Sequence, residues 1–220
     1  MTIHAIYGAI SPYFRRRRLR NFERLMRPTR SDSILDVGGT EAFWRGSAFK
    51  PQVTLLNTDK SLFGSEEPGW SRIVGDGCAL NFPDQSFDIV FSNSAIEHVG
   101  TWERQVLFAA ESLRVGRAIW IQTPAREYFI EPHLIGVFIH WLPRSWQRHL
   151  IRWLTVRGLI ERLDHATIEA FLNEVRLLSL EEMKDLFPGC QILRERFLGM
   201  SKCYVAIKNA DASAGTARTS

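Results

Sequence analysis

Five short apolar runs recur along the first 125 residues of this 220-residue chain, with segments of helix length between them. They are SILDV at 33–37, VTLLN at 53–57, RIVG at 72–75, FDIVFS at 87–92 and AIWIQT at 118–123. Each is β-branched or aromatic in character, the pattern of strands covered on both faces. Strands that alternate with helices build a parallel sheet joined by crossovers, so the order of elements predicts an α/β fold. The clearest helix spans 102–113, where Val106, Leu107, Ala109, Ala110 and Leu113 recur at helical spacing.

The rest of the chain departs from this rhythm. Residues 125–176 are long, rich in Trp, His and Arg, and helical in pattern, which predicts a helical insertion over the carboxyl edge of the sheet. Ser179 and Glu182 form a capping-box pattern that opens a helix stopped by Pro188-Gly189. Runs at 191–197 and 203–208 then sit close enough to pair as an antiparallel hairpin. Residues 209–220 (NADASAGTARTS) have almost nothing to bury and predict a disordered tail. One domain over 1–208 accommodates these elements, with 1–30 as a basic helical lead-in and 125–176 as the insertion.

Charge is unevenly placed. The formal charge is +4, yet residues 1–30 hold eight arginines against Glu23 alone, so the remainder is net acidic. Residues 143–162 add a second basic element, five arginines against Glu161. Arg144, Arg148 and Arg152 share one helical face there, and Trp146, Leu150, Trp153 and Leu154 share another. Three widely spaced cysteines (Cys78, Cys190, Cys203) fit neither a disulfide framework nor a zinc site, and a cytoplasmic setting is the expectation. No apolar run approaches the length of a spanning helix.

Four consecutive strand ends deliver polar groups to one edge, where open α/β sheets bind ligands. The first strand runs into Gly38-Gly39, whose backbone N–H groups no side chain shields. Asp59 follows the second strand, where an acid can accept from both hydroxyls of a ribose. Asp76-Gly77 follows the third, and Asn93-Ser94 ends the fourth. Thr40, Ala42 and Phe43 replace the further glycines that a pyrophosphate needs, and Asp36 would repel phosphate but attract an ammonium or a sulfonium. The charge logic favours an amino-acid-bearing nucleoside.

Four stretches, ILDVGGTEAFW, LLNTD, GDGCALNFPDQSFDIVFSNSAIEHV and RLLSLEEMKDLFPGCQILRERFLGMSKCYVAIK, resemble the class I S-adenosylmethionine-dependent methyltransferases, especially the methyltransferase-type-11-like proteins. The resemblance implies a Rossmann-like, seven-stranded, mostly parallel sheet with flanking helices, and S-adenosyl-L-methionine as cofactor. It puts Asp36, Gly38 and Gly39 around the methionine moiety, Asp59 on the ribose, Asp76, Gly77 and Cys78 at the adenine, and Asn93 near the sulfonium. Thr40 and Ala42 depart from the family's glycine motif, which raises the alternative of a partner subunit that binds no cofactor.

Methyl transfer from a sulfonium needs alignment and exclusion of water, and a base only where the acceptor carries a proton of high pKa. Candidates for that base are Glu97 and His98 after the fourth strand, and Glu131 and His133 after the fifth. The first pair could instead cap or pack the next helix, and Pro132-His133 could be a turn. His140 lies in an apolar run and reads as a packed histidine. Ser92-Asn93-Ser94-Ala95 lacks the prolines and aromatic of the exocyclic-amine enzymes of nucleic acids, and Cys78 is badly placed to be a nucleophile. These readings favour a small acceptor, apolar or lipid-like, with the two basic segments either as contacts to an anionic membrane or as a leading helix over the cofactor and a lid helix whose apolar face packs on the sheet and whose arginines are solvated. An RNA acceptor is disfavoured by the acidic remainder and the lack of an aromatic platform.

Overall fold

A computed structural model describes residues 3–47, 51–64 and 70–210. Helix α1 (Ile3–Met26) leads into strand β1 (Ser33–Val37) and helix α2 (Glu41–Trp44), followed by β2 (Gln52–Asn57), β3 (Trp70–Val74) and β4 (Phe87–Asn93). Helix α3 (Trp102–Val115) runs directly into β5 (Gly116–Pro124). The insertion comprises β6 (Ile130–Glu131), β7 (Gly136–Val137), α4 (Arg144–Leu154), α5 (Val156–Glu161) and α6 (His165–Glu174). Helix α7 (Leu180–Leu186) and strands β8 (Gln191–Phe197) and β9 (Met200–Lys208) complete the order.

The main sheet has seven strands in the order β3-β2-β1-β4-β5-β9-β8. All pairings from β3 to β5 are parallel, and only β9 runs against the rest. This is the Rossmann-like arrangement expected, with the antiparallel hairpin at one edge. Successive residues of the central strands point to opposite faces. Leu35 and Ile119 enter a core with Phe108 of α3 and Met183 of α7. Ile34 and Trp120 enter a second core with Leu19 and Phe22 of α1 and Trp44 of α2.

Several expectations shift. Strand β3 begins at Trp70, β5 at Gly116 and β9 at Met200, each earlier than its apolar run, and α3 extends to Val115. No helix joins β3 to β4. Instead Arg114 of α3 donates to the carbonyls of Leu80 and Phe82 and to the Asp84 carboxylate, and so pins that connection as a loop. The helix after the glycine turn is a single turn. The joint between α3 and β5 has no loop residue, and Gly116 permits it: a Cβ there would lie 2.7 Å from Val90 and 2.9 Å from the Ala118 carbonyl oxygen. Ser179 and Glu182 form the expected reciprocal cap of α7. Most of the expected tail, 211–220, lies outside the described residues.

The insertion is helical, as expected, but includes the β6-β7 hairpin, and α4 divides its apolar face: Leu150 packs inward beside Ile151, while both tryptophans stay outside. Arg144 donates to the Leu172 carbonyl of α6 and Arg148 pairs with Glu169. Trp146 and Trp153 are left 61% and 64% exposed, and Leu154 is exposed beside them. The buried side of α4 holds Ile151, in a small core with Leu134, Ile139, Leu163, Ile168 and Leu172.

Helix α1 is tied to the sheet by Phe22, which is fully buried with its ring edge-on to Trp44, Phe91 and Trp120 at centroid distances of 5.8, 5.0 and 5.6 Å. Phe22→Ala removes the ring from three aromatic contacts and opens a cavity. The expected loss is about 3–5 kcal/mol of unfolding free energy, read by urea denaturation. A loss under about 1 kcal/mol would mean that α1 is not part of the folded core.

Candidate functional site

The order of strands places β1 between β2 and β4, and the connections leave β1 and β4 toward opposite sides. That divergence opens a crevice at their carboxyl ends. At the end of β1 the chain turns at Gly38 with φ +79°, a conformation that disfavours any side chain. A Cβ at Gly38 would lie 2.5 Å from the Ala95 Cβ, so this turn and the segment after β4 abut. A Cβ at Gly39 would collide with the Asp36 carboxylate. The Asn57 side-chain amide donates to the Gly39 carbonyl and fixes the turn from β2.

Asp36 is the electrostatic centre of this crevice. Its side chain is buried, its Oδ2 accepts from the Trp44 indole at 2.7 Å, and its Oδ1 has no partner among the described residues. Burial pushes its pKa up from 3.8 to about 7, against the opposing effect of the Trp44 hydrogen bond. Thr40 and Ala42, the departures from the glycine motif, are both exposed, so neither side chain fills the cradle.

Asp59 is exposed beyond β2 and accepts from the Ser61 amide at 2.8 Å, an interaction that lowers its pKa. The loop that follows it is held by buried Glu41, which bonds Arg72 and the Gly64 amide. Sequence reasoning missed this tie. Asp76 accepts from the Cys78 amide at 2.9 Å and from the Arg104 guanidinium. Burial opposes its ionisation, but these donors hold its pKa below the usual carboxylate range. The Cys78 side chain is buried, donates to the Arg104 carbonyl, and has its pKa pushed up to about 11 by burial and Asp76. Gly77 lies beside it, packed on Val37 and Phe108. Asn93 ends β4 with its side-chain oxygen accepting from Arg18 of α1 at 3.3 Å, and Arg18 also reaches Cys203.

The catalytic candidates converge. His133 Nδ1 lies 2.6 Å from Glu131 Oε1, and its Nε2 lies 3.9 Å from Glu97 Oε1. The His98 ring stands edge-on to His133 at 4.7 Å, with its Nδ1 3.0 Å from Glu174. Burial works against a charged His133, but Glu131, Glu97 and Glu174 outweigh it and raise its pKa above the ordinary histidine value. Thr123 at the end of β5 donates to Glu97 Oε2. A cavity of about 180 Å³ adjoins the cluster, lined by Glu131, Phe171 and three arginines, Arg126, Arg144 and Arg176. His140 also lines it. It is half-buried rather than a packed core histidine, and its Nε2 sits 2.9 Å from the Arg126 carbonyl oxygen.

Residues 40–118 match the family described as a methyltransferase domain. The matched segment starts just after the glycine turn, so Asp36, Gly38 and Gly39 fall outside it. No curated protein matches the chain. Among solved structures, a methyltransferase from Haloferax volcanii in complex with the Trm112 activator is similar at 13% identity and TM-score 0.53, covering 96% of this chain and 98% of that one. Phosphoethanolamine N-methyltransferase 2 of Haemonchus contortus, in complex with S-adenosyl-L-methionine, is similar at 17% identity and TM-score 0.53, over 80% of this chain but 37% of that one. A Rhodobacter sphaeroides structure described as a Zn-dependent alcohol dehydrogenase is similar at 15% identity and TM-score 0.54, covering 89% and 90%. At such identities the likeness carries the fold alone. The fold is the Rossmann-like one of methyltransferases, and the matched segment is described as a methyltransferase domain. The glycine cradle and the unpartnered oxygen of Asp36 fit a ligand that brings a cation to the end of β1.

Asp36 titrates near 3.8 when unfolded and near 7 when folded, so between these values the folded chain holds a proton that the unfolded chain has lost. The cost of burying its charge grows over that interval and is constant above it. Asp36→Asn removes this dependence. Its advantage in unfolding free energy over the parent should rise by a few kcal/mol from pH 4 to pH 8. Denaturation curves at both pH values check this, and an equal effect at both would show that the carboxyl is not buried as described.

Proposed function

We propose that the protein transfers a methyl group from S-adenosylmethionine to a small amphipathic acceptor seated between the carboxyl ends of β4 and β5 and the helical insertion. The observation that carries this reading is the convergence of the Asp36 cradle and the Glu97–His133–Glu131 cluster on one sheet edge, beside the arginine-lined cavity. The cofactor supplies a methyl group on a sulfonium, transferred by in-line displacement. Asp36, Gly38 and Gly39 are assigned to its amino-acid end, Asn93 to the neighbourhood of the sulfonium, Asp59 to the ribose, and Asp76 with the backbone of Gly77 and Cys78 to the base. Asn93 accepts from Arg18 through its side-chain oxygen, which leaves its amide N–H groups to a ligand. The Glu131–His133 pair stands at the start of the insertion, where an acceptor's proton would be managed.

Calorimetric titration with S-adenosylmethionine tests the reading. Micromolar binding is expected, and Asp59→Ala should weaken it roughly ten- to hundred-fold by removing charge-assisted hydrogen bonds. No heat at millimolar ligand would favour a methyltransferase-fold partner subunit instead.

The exposed tryptophans of α4 support an acceptor at an anionic lipid surface. Trp146, Trp153 and Leu154 of α4 and Leu159 of α5 are exposed, and Arg152 stacks on Trp153. Helix α1, with exposed Arg16, Arg17 and Arg20, packs against α5, so the two basic segments form one surface. Aromatic side chains flanked by arginines suit the headgroup region of a bilayer. Among the described residues no helix is long and apolar enough to cross a membrane. Sedimentation with phosphatidylserine-containing vesicles should show binding that falls at least five-fold in the Trp146→Ala/Trp153→Ala double variant and in high salt. Equal binding to neutral vesicles would sink the anionic assignment.

A further inference from the structure

We infer that Glu97, His98 and His133 form a binding site for a divalent transition-metal ion of the zinc class. The three side chains offer donor atoms that all lie within 4.8 Å of one another, from two segments that the fold brings together: the turn Ile96–His98 after β4 and the loop after β6. Glu97 is fully buried, its Oε2 is satisfied by Thr123, and its Oε1 has no hydrogen-bond partner among the described residues. A buried carboxylate oxygen left in this state is costly unless a cation completes it. The nearest cationic candidate is His133 Nε2 at 3.9 Å, too far for a hydrogen bond.

The surroundings of the two histidines favour metal ligation over a simple ion pair. Glu131 takes the Nδ1 proton of His133 as a hydrogen bond, and Glu174 does the same for His98. Each carboxylate thereby fixes the tautomer in which Nε2 carries the free lone pair, as the outer-sphere carboxylates of metal-bound histidines do. Glu131 also accepts from the Leu134 amide at 2.6 Å, which locks its own orientation. Donors on a tetrahedral ion lie about 3.3 Å apart, so an entering ion would draw these atoms together by about an ångström. His98, on the exposed rim, can supply most of that movement.

Two imidazoles and one carboxylate suit a transition-metal ion, and three protein ligands leave a position open for an exogenous oxygen. The open position would face the acceptor side, adjoining the cavity that Glu131 and Phe171 line. Its use there rests on the methyltransferase reading; the binding of the ion does not. An acceptor hydroxyl bound to the ion would lose its proton to solvent at neutral pH. The oxygen lone pair would then form the new O–C bond as the C–S bond of the sulfonium breaks, and the sulfur would keep the bonding electrons. In that state His133 is a ligand and not the base.

The test uses the full chain stripped with a chelator and titrated with Zn²⁺ in calorimetry, with S-adenosylmethionine titrated into the same preparations. One equivalent of Zn²⁺ should bind at micromolar strength or tighter. Glu97→Gln, His133→Ala and His98→Ala should each weaken it at least ten-fold, and Glu131→Gln by about 10–100-fold, while the exposed His165→Ala leaves it unchanged. His98 is half-exposed, so its variant keeps the test valid if the buried variants do not fold. Zn²⁺ binding that is absent, or that survives both His98→Ala and His133→Ala, overturns the proposal. Preparations that bind S-adenosylmethionine but not Zn²⁺ would leave the methyltransferase reading standing and remove the metal site alone.

Discussion

The burial of Asp36 at the end of the central strand is the constraint on which the carboxyl edge depends. A carboxyl group with one oxygen on Trp44 and the other unpartnered is destabilising on its own. Around it the chain is fully committed: Gly38 turns in a conformation few residues adopt, Gly39 leaves room for the carboxylate, and Asn57 holds the turn. Trp44, which satisfies Asp36, is also in contact with Phe22 of α1. The same residues thus couple the polar crevice to the aromatic core beneath it.

A second concentration of unsatisfied polarity lies on the other side of β4. Glu97, Glu131 and Glu174 are drawn toward two histidines, while Arg126, Arg144 and Arg176 line the adjoining cavity. Arg176 is itself held by Gln105 and Glu182, and Arg144 by carbonyl and amide oxygens of α6. These arginines bring net positive charge near the cavity without being spent wholly on acidic partners. The negative cluster and the positive wall are separated by Glu131, which belongs to both.

The central strands were legible because they are covered on both faces, so that nearly every residue from Ile34 to Val37 and from Ile89 to Phe91 must be apolar. Their ends were less so. Strand β3 lies at the sheet edge and tolerates Ser71 and Arg72, which gives no apolar signal for its start. The amphipathic pattern of α4 was plain, but periodicity defines two faces without saying which one packs. Neither face packs as a unit: Ile151 and Leu150 turn inward, Arg144 and Arg148 reach α6 from the edge, and Arg152 stays outside with the tryptophans. Among the site residues, Asp36, Asp59 and Asp76 could be placed from strand ends. The contact of Arg18 with Asn93 spans 75 positions and depends on where α1 crosses the sheet. The meeting of Glu97 with His133 has the same origin, since no spacing rule links two loops that the sheet merely juxtaposes.

The joint without a loop at Gly116 has a mechanical consequence. Helix α3 and strand β5 are continuous, with no loop residue between them and Gly116 closely packed against Val90 and the Ala118 carbonyl. The insertion grows from the far end of β5. Any displacement it undergoes must therefore be absorbed downstream of Pro124, in the segment that leads to β6 and in the return from α6 to α7. Those two tethers, between Ala125 and Leu178 and bridged to each other there, act as the pivot of the assembly. The stiffness of the sheet confines compliance to the insertion.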